Sequence, residues 1–214
     1  GVAVVNVDPR DAARAARIRT AASENAARIL AVEPERVVRA YGPPPAAAPR
    51  RRAGTPAAPA PERSATWGLQ ATGVPKSKYS GKGVKVAVLD TGFDLRHPDF
   101  PSRSITAVSF VPGYKAQDGH GHGTHCIGTA CGPRKPYHPP RYGIACEAAI
   151  LAGKVLDDNG GGGDGGILAG INWAIAQGAR VVSMSLGAEV RADTPFSEVF
   201  EAVGKRALAA GTLI

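Results

Sequence analysis

The sequence predicts an α/β protein built on a doubly wound, mostly parallel sheet, preceded by a small α+β fragment. Three observations carry that prediction. The runs GVKVAVLD (83–90), ILAGKVLD (150–157) and RVVSMSLG (180–187) are apolar without alternation, as in strands covered on both faces of a parallel sheet. Helix-forming segments lie between and after these runs, and alternation of the two element types argues a wound sheet. A proline-rich stretch sets residues 1–41 apart from everything after residue 64.

Taken in order, VAVVNV at the start reads as a strand, and DPRDAARAARIRTAASENAARIL as a helix, since alanine and arginine favour helix. ILAVEPERVVRAY reads as a second extended segment broken by Pro34. Residues 42–64 hold seven prolines and no apolar periodicity, the composition of a stiff, protease-sensitive linker. Residues 65–214 then form the main domain. Within it, ILAGINWAIAQG carries Ile167, Ile171, Ala174 and Ile175 at helical spacing, with Gly178 as the C-terminal cap. Thr194 before Pro195 predicts the start of a further helix. The final TLI reads as the opening of another strand. The first residue is Gly1, and no charged segment with an apolar core precedes it, so the sequence reads as cut at its start.

Composition excludes several functions. An apolar fraction of 43% and a charged fraction of 21% are ordinary for a globular protein, and the apolar runs are too short to cross a bilayer. The net charge is +8, of which residues 1–64 supply +5 through scattered arginines and Arg50–Arg52. Only Tyr41 is aromatic before Trp67, so these arginines lack the interleaved aromatics of a nucleic-acid face. Neither nucleic acid nor membrane is expected as a partner. Cys126, Cys131 and Cys146 form no CxxC pair and no zinc-ligand pattern. They read as small buried thiols, with a Cys131–Cys146 bridge left open.

The segment DGHGHGTHCIGTACG (118–132) places His120, His122 and His125 within six residues. One reading is a metal-dependent hydrolase that uses all three. However, Thr124 stands where an HxHxDH ligand run has aspartate, and the sole later histidine is His138. The other reading makes His122 a general base, held in one tautomer by a carboxylate. Asp90 ends an apolar strand, and ligands of open α/β sheets sit at the carboxyl ends of strands. Glycines around His122 would let a substrate backbone approach, and the following IGTA can open a helix aimed from the sheet edge.

VAVLDTGFDLRHPDF resembles the aspartate motif of subtilisin-like serine peptidases, GHGTHCIGT their histidine motif and SMSLG their substrate-binding segment. The resemblance implies a serine endopeptidase in which Asp90 is the catalytic aspartate and His122 the catalytic histidine. Ser185, Leu186 and Gly187 would pair with substrate backbone, with Ala188 in place of a frequent glycine. Gly160, Gly161 and Gly162 fall where the opposing edge runs, and Cys126 matches the branch with a cysteine after HGTH. Residues 1–41 resemble part of the family's inhibitory propeptide, which would make the chain's own prosegment a partner alongside protein and peptide substrates. Secretion is implied in the same way.

The nucleophilic serine of the family lies in a GTSMA-like motif. The four GT pairs here are followed by Pro56, His125, Ala130 and Leu213, so the serine is expected beyond residue 214. A non-catalytic peptide-binding or inhibitory module is the alternative. No cofactor is expected: the family's calcium loop corresponds to GPRKPYHPPRYG (132–143), which has no carboxylate. Asp99, similar to one ligand of that site, would cap a turn.

Overall fold

A computed structural model describes residues 3–5, 7–8, 10–42, 64–190, 192 and 194–214. The proline-rich linker predicted at 42–64 lies, apart from Gly42 and Ser64, outside the described residues.

Before the linker, helix α1 spans Ala12–Glu24 and starts at Asp11, whose side chain accepts from Arg14 N. The helix buries none of its residues. The strand expected at VAVVNV is not formed by its described residues: Val4 and Val5 are exposed and belong to no strand. The second extended segment narrows to strand β1, Val37–Ala40.

After the linker come a short helix α2 (Trp67–Ala71), strand β2 (Lys85–Asp90) and strand β3 (Ile105–Ser109). Helix α3 (His122–Cys131) leads to strand β4 (Ala149–Lys154), then β5 (Gly161–Gly163) and helix α4 (Asp164–Ala176). The run RVVSMSLG divides into β6 (Val181–Ser183) and β7 (Leu186–Gly187), and helix α5 (Glu198–Ala209) follows. The predicted single strand breaks because its first half joins the parallel sheet while its second half turns to pair with β1.

Strands β3, β4, β2 and β6 form, in that order, a four-stranded sheet whose pairings are all parallel. Side chains alternate across it as strand geometry requires. Ala87, Leu89, Leu151 and Val182 pack with Ile167, Ile171 and Ala174 of α4 and with Val203 of α5. Val86, Val88, Ile150 and Ala152 face the other way, against Phe93, Phe100 and Ile127 and Cys131 of α3. Helices therefore cover both faces, which is the doubly wound arrangement. Gly178, at φ +74°, ends α4. Helix α5 starts at Ser197, whose hydroxyl accepts from Phe200 N, not at the predicted Thr194–Pro195. Residues 194–197 lie outside the helix, and Ser197 Oγ also donates to Glu33 at 2.5 Å.

A second, antiparallel sheet has the order β5-β1-β7. Segment 33–36 leads into its central strand and rests on two helix N-termini. Glu35 Oε1 accepts from Gly165 N in the first turn of α4, at 3.0 Å. Glu33 Oε1 accepts from Val199 N in the first turn of α5, at 3.2 Å. Arg36 completes the contact through Nε, 2.8 Å from Asp164. Carboxylates at helix N-termini are favoured by exposed N–H groups and by the helix dipole.

Candidate active site

Strand β2 ends on Asp90, which is buried at 1% exposure. Helix α3 begins on His122, whose Nδ1 lies 2.7 Å from Asp90 Oδ1. The chain can bring these elements together because residue 123 is glycine. A Cβ there would press into the backbone of Gly92, the positive-φ turn residue just past Asp90.

Two residues tie the start of α3 to β2. Thr91 is fully buried, and all of its polar groups are engaged. Its N–H donates to Asp90 Oδ1 at 2.7 Å and its carbonyl accepts from Lys154 Nζ at 2.5 Å. Its hydroxyl donates to Asp118 and accepts from Gly123 N. Asp118 also accepts from His120 N, Gly121 N, Thr124 N and the Thr124 hydroxyl. Helix N-termini leave such N–H groups without intrahelical partners, and here Thr91 and Asp118 supply the acceptors. Burial raises the Asp118 carboxyl, but these hydrogen bonds outweigh it and hold its pKa below the usual 3.8.

The other ring nitrogen of His122, Nε2, lies 2.5 Å from the carbonyl oxygen of Tyr41. With acceptors at both nitrogens, the doubly protonated ring is the form that satisfies both. Burial alone pulls the His122 pKa down. The hydrogen bond and charge of Asp90, the Tyr41 carbonyl and the Asp118 charge reverse this and raise it above 6.5. Cys126 Sγ sits 3.8 Å from His122 Nδ1. Burial pushes its thiol up to about 11, against a hydrogen bond with Ser185 that lowers it.

Tyr41 reaches His122 because β1 lies between two edges. On one side Val37, Val38 and Arg39 pair with Gly163, Gly162 and Gly161, and Ala40 N donates to Gly160 O at 2.9 Å. On the other, Arg39 and Ala40 pair with Gly187 and Leu186, and Tyr41 N donates to Ser185 O at 2.8 Å. Gly160, Gly161, Gly162, Ser185, Leu186 and Gly187 are thus brought together around one extended segment. Glycines suit this position, since β-augmentation works through main-chain hydrogen bonds.

The three histidines do not converge. His120 stacks edge-on at 6.2 Å between ring centroids from His122, and His125 is exposed. Among the described residues, the group with metal-compatible spacing is Asp90, His122 and Cys126, which is not the His120, His122 and His125 set of the alternative metal reading. No disulfide links the three cysteines, so Cys131 and Cys146 remain separate buried thiols. The calcium reading fits poorly as well. Both Asp99 oxygens are taken, by Tyr137 N and the Tyr142 hydroxyl at 2.5 Å each. Asp99 therefore pins the 132–143 loop, and burial together with this carboxylate pushes the Tyr142 phenol up.

Sequence reasoning missed Thr91, Asp118 and Lys154. Lys154 carried a signal, as the one charge in the apolar run AILAGKVL.

A sequence model of the subtilase family, peptidase family S8, matches residues 81–214. The chain belongs to that family of serine-type peptidases. It is similar to Subtilisin-like protease 2 of Pseudogymnoascus destructans, 39% identical over 134 residues that cover 58% of this chain and 32% of that protein. Subtilisin-like protease 1 of Arthroderma otae is 37% identical over 137 residues, covering 57% of this chain and 27% of that protein. Subtilisin-like protease 5 of Arthroderma gypseum is 36% identical over 167 residues, covering 72% and 39%. The chain thus spans between about a quarter and two fifths of the length of these relatives. Among the described residues, no helix is long and apolar enough to cross a membrane.

Proposed function

We propose that the protein is a serine endopeptidase and that residues 1–214 carry its aspartate, its histidine and both substrate-binding edges. Asp90 orients His122. His122 takes the proton from a serine hydroxyl supplied by sequence outside residues 1–214 as that oxygen attacks the substrate carbonyl carbon, then gives the proton to the leaving amine. Water hydrolyses the resulting acyl-enzyme. Ser185–Gly187 and Gly160–Gly162 hold the substrate as an added antiparallel strand. Protein chains are the substrates, and secretion accords with the family resemblance.

The observation that carries this reading is the 2.7 Å Asp90–His122 contact beside a groove already filled by an extended strand. That strand belongs to the chain itself. Residues 1–41 act as an inhibitory prosegment whose segment 33–41 fills the groove: the Tyr41 carbonyl occupies His122 Nε2, the nitrogen that would take the serine proton. Glu33, Glu35 and Arg36 anchor the segment on α4 and α5.

Full-length protein should hydrolyse unstructured polypeptides, and His122→Ala or Asp90→Asn should reduce kcat by about 10⁴-fold or more. A polypeptide of residues 1–214 alone should be inactive. Peptide binding without hydrolysis by the full-length protein would instead support a non-catalytic peptide-binding module.

A further inference from the structure

Lys154 is the most deeply buried charge near the dyad, with a side chain of 0% exposure. It ends β4 and stands directly opposite Asp90 in the parallel register. Its ammonium donates to the Thr91 carbonyl at 2.5 Å and to Asp158 Oδ1 at 2.6 Å, and it lies 5.5 Å from the centroid of the Tyr114 ring. Both hydrogen bonds lead to the histidine loop. Thr91 holds Asp90, Asp118 and Gly123 through its remaining polar groups. Asp158 Oδ1 also accepts from Gly119 N at 3.2 Å. A buried ion pair is weak grounds for stability, because an apolar side chain of similar volume often serves a fold as well. A fully buried lysine at the end of β4 calls for another explanation.

We infer that Lys154 is a positioning residue for the Asp90–His122 pair, clamping the Thr91 carbonyl and, through Asp158, the 118–121 loop. The inference rests on the peptidase reading above. Without the ammonium, the Thr91 peptide is free to tilt, and the N–H that fixes Asp90 Oδ1 tilts with it. Small displacements of a reacting group cost large factors in rate. The clamp also sets a positive charge on the strand residue paired with Asp90. The other titratable groups around His122 are Asp90, Asp118, His120 and Cys126, with Asp158 and Tyr114 around the ammonium.

The test uses full-length protein and two variants, Lys154→Met and Asp158→Asn. Lys154→Met should lower kcat by about 10- to 100-fold while KM changes by less than about 3-fold. Loss of the positive charge favours protonated His122, so the acid limb of the kcat–pH profile should move to higher pH. Asp158→Asn keeps the volume of a half-exposed side chain and removes its negative charge, which should move the limb to lower pH. A purely structural role would lower activity at every pH and leave the limb in place. Active wild-type protein whose kcat and acid limb survive Lys154→Met would overturn the inference and leave the peptidase reading intact. If Lys154→Met does not fold, an unmoved limb in Asp158→Asn overturns it. Inactive wild-type protein would instead sink the peptidase reading.

Discussion

Asp118→Ala removes the acceptor that organises the start of α3, and its cost can be built from the contacts. Loss of the side chain that receives Thr124 N, the third residue of α3, is a lost helix cap, about 1 kcal/mol. Loss of a negative charge beside the helix N-terminus adds about 0.5–1 kcal/mol. The buried Thr91 hydroxyl is left without an acceptor, a further ~1 kcal/mol. The total is about 3 kcal/mol, which at this chain length corresponds to a fall in Tm of roughly 6–12 °C. Thermal unfolding followed by circular dichroism at neutral pH reads this directly. The pH dependence has a definite sign. The folded pKa of Asp118 lies below 3.8, so its contribution is present above about 3.8 and is lost as pH falls through the folded value. The gap in Tm between wild type and variant should therefore hold down to about pH 3.8 and begin to close only below it. A loss under about 2 °C at neutral pH, or a gap that persists unchanged to pH 3, would refute the network as described.

Further outcomes follow from individual contacts. Gly123→Ala drives a Cβ into the Gly92 backbone, so the Asp90–His122 contact should open and Tm should fall further than for an exposed helix Gly→Ala change. The His122 ring should titrate above 6.5 in a ring-proton NMR titration, and Asp90→Asn should lower that value. Its raised pKa stabilises the fold fully below about 6.5 and is lost as pH rises through the folded value, so Asp90→Asn should cost most at acid pH. Cys126 and Cys131, with thiols pushed up to about 11, should react slowly with iodoacetamide at pH 8, and fast labelling would contradict their burial. Glu33→Gln with Glu35→Gln should speed amide exchange in β1 by about 3- to 30-fold, the equivalent of losing one charge at each of two helix N-termini.

Legibility in the sequence followed how local the determinants are. The parallel sheet was readable because Val86–Leu89 and Ile150–Ala152 are apolar on both faces. Asp90 and His122 stood out because one ends such a run and the other sits among glycines. In RVVSMSLG the resemblance marked Ser185–Gly187 as a backbone-pairing segment, but the apolar pattern alone did not show the break between Ser183 and Leu186, since β1 claims the second half as a partner. The described residues of VAVVNV have strand composition but join no strand, and propensity alone does not make one. The start of α5 shifted from Thr194 to Ser197 because Glu33, more than 160 residues away, accepts from the Ser197 hydroxyl. Lys154 stood out as a lone charge in an apolar run, but its contact with Thr91, like that of Asp118, spans distant parts of the chain and has no local pattern.

The central claim is that Asp90 and His122 activate a serine beside a peptide groove. Intact-mass spectrometry of full-length protein after treatment with a fluorophosphonate tests it most directly. One adduct per chain on the wild type, absent after His122→Ala and mapped to a serine outside residues 1–214, is the predicted result. Equal labelling of wild type and His122→Ala, or an adduct on Ser183 or Ser185, would contradict it.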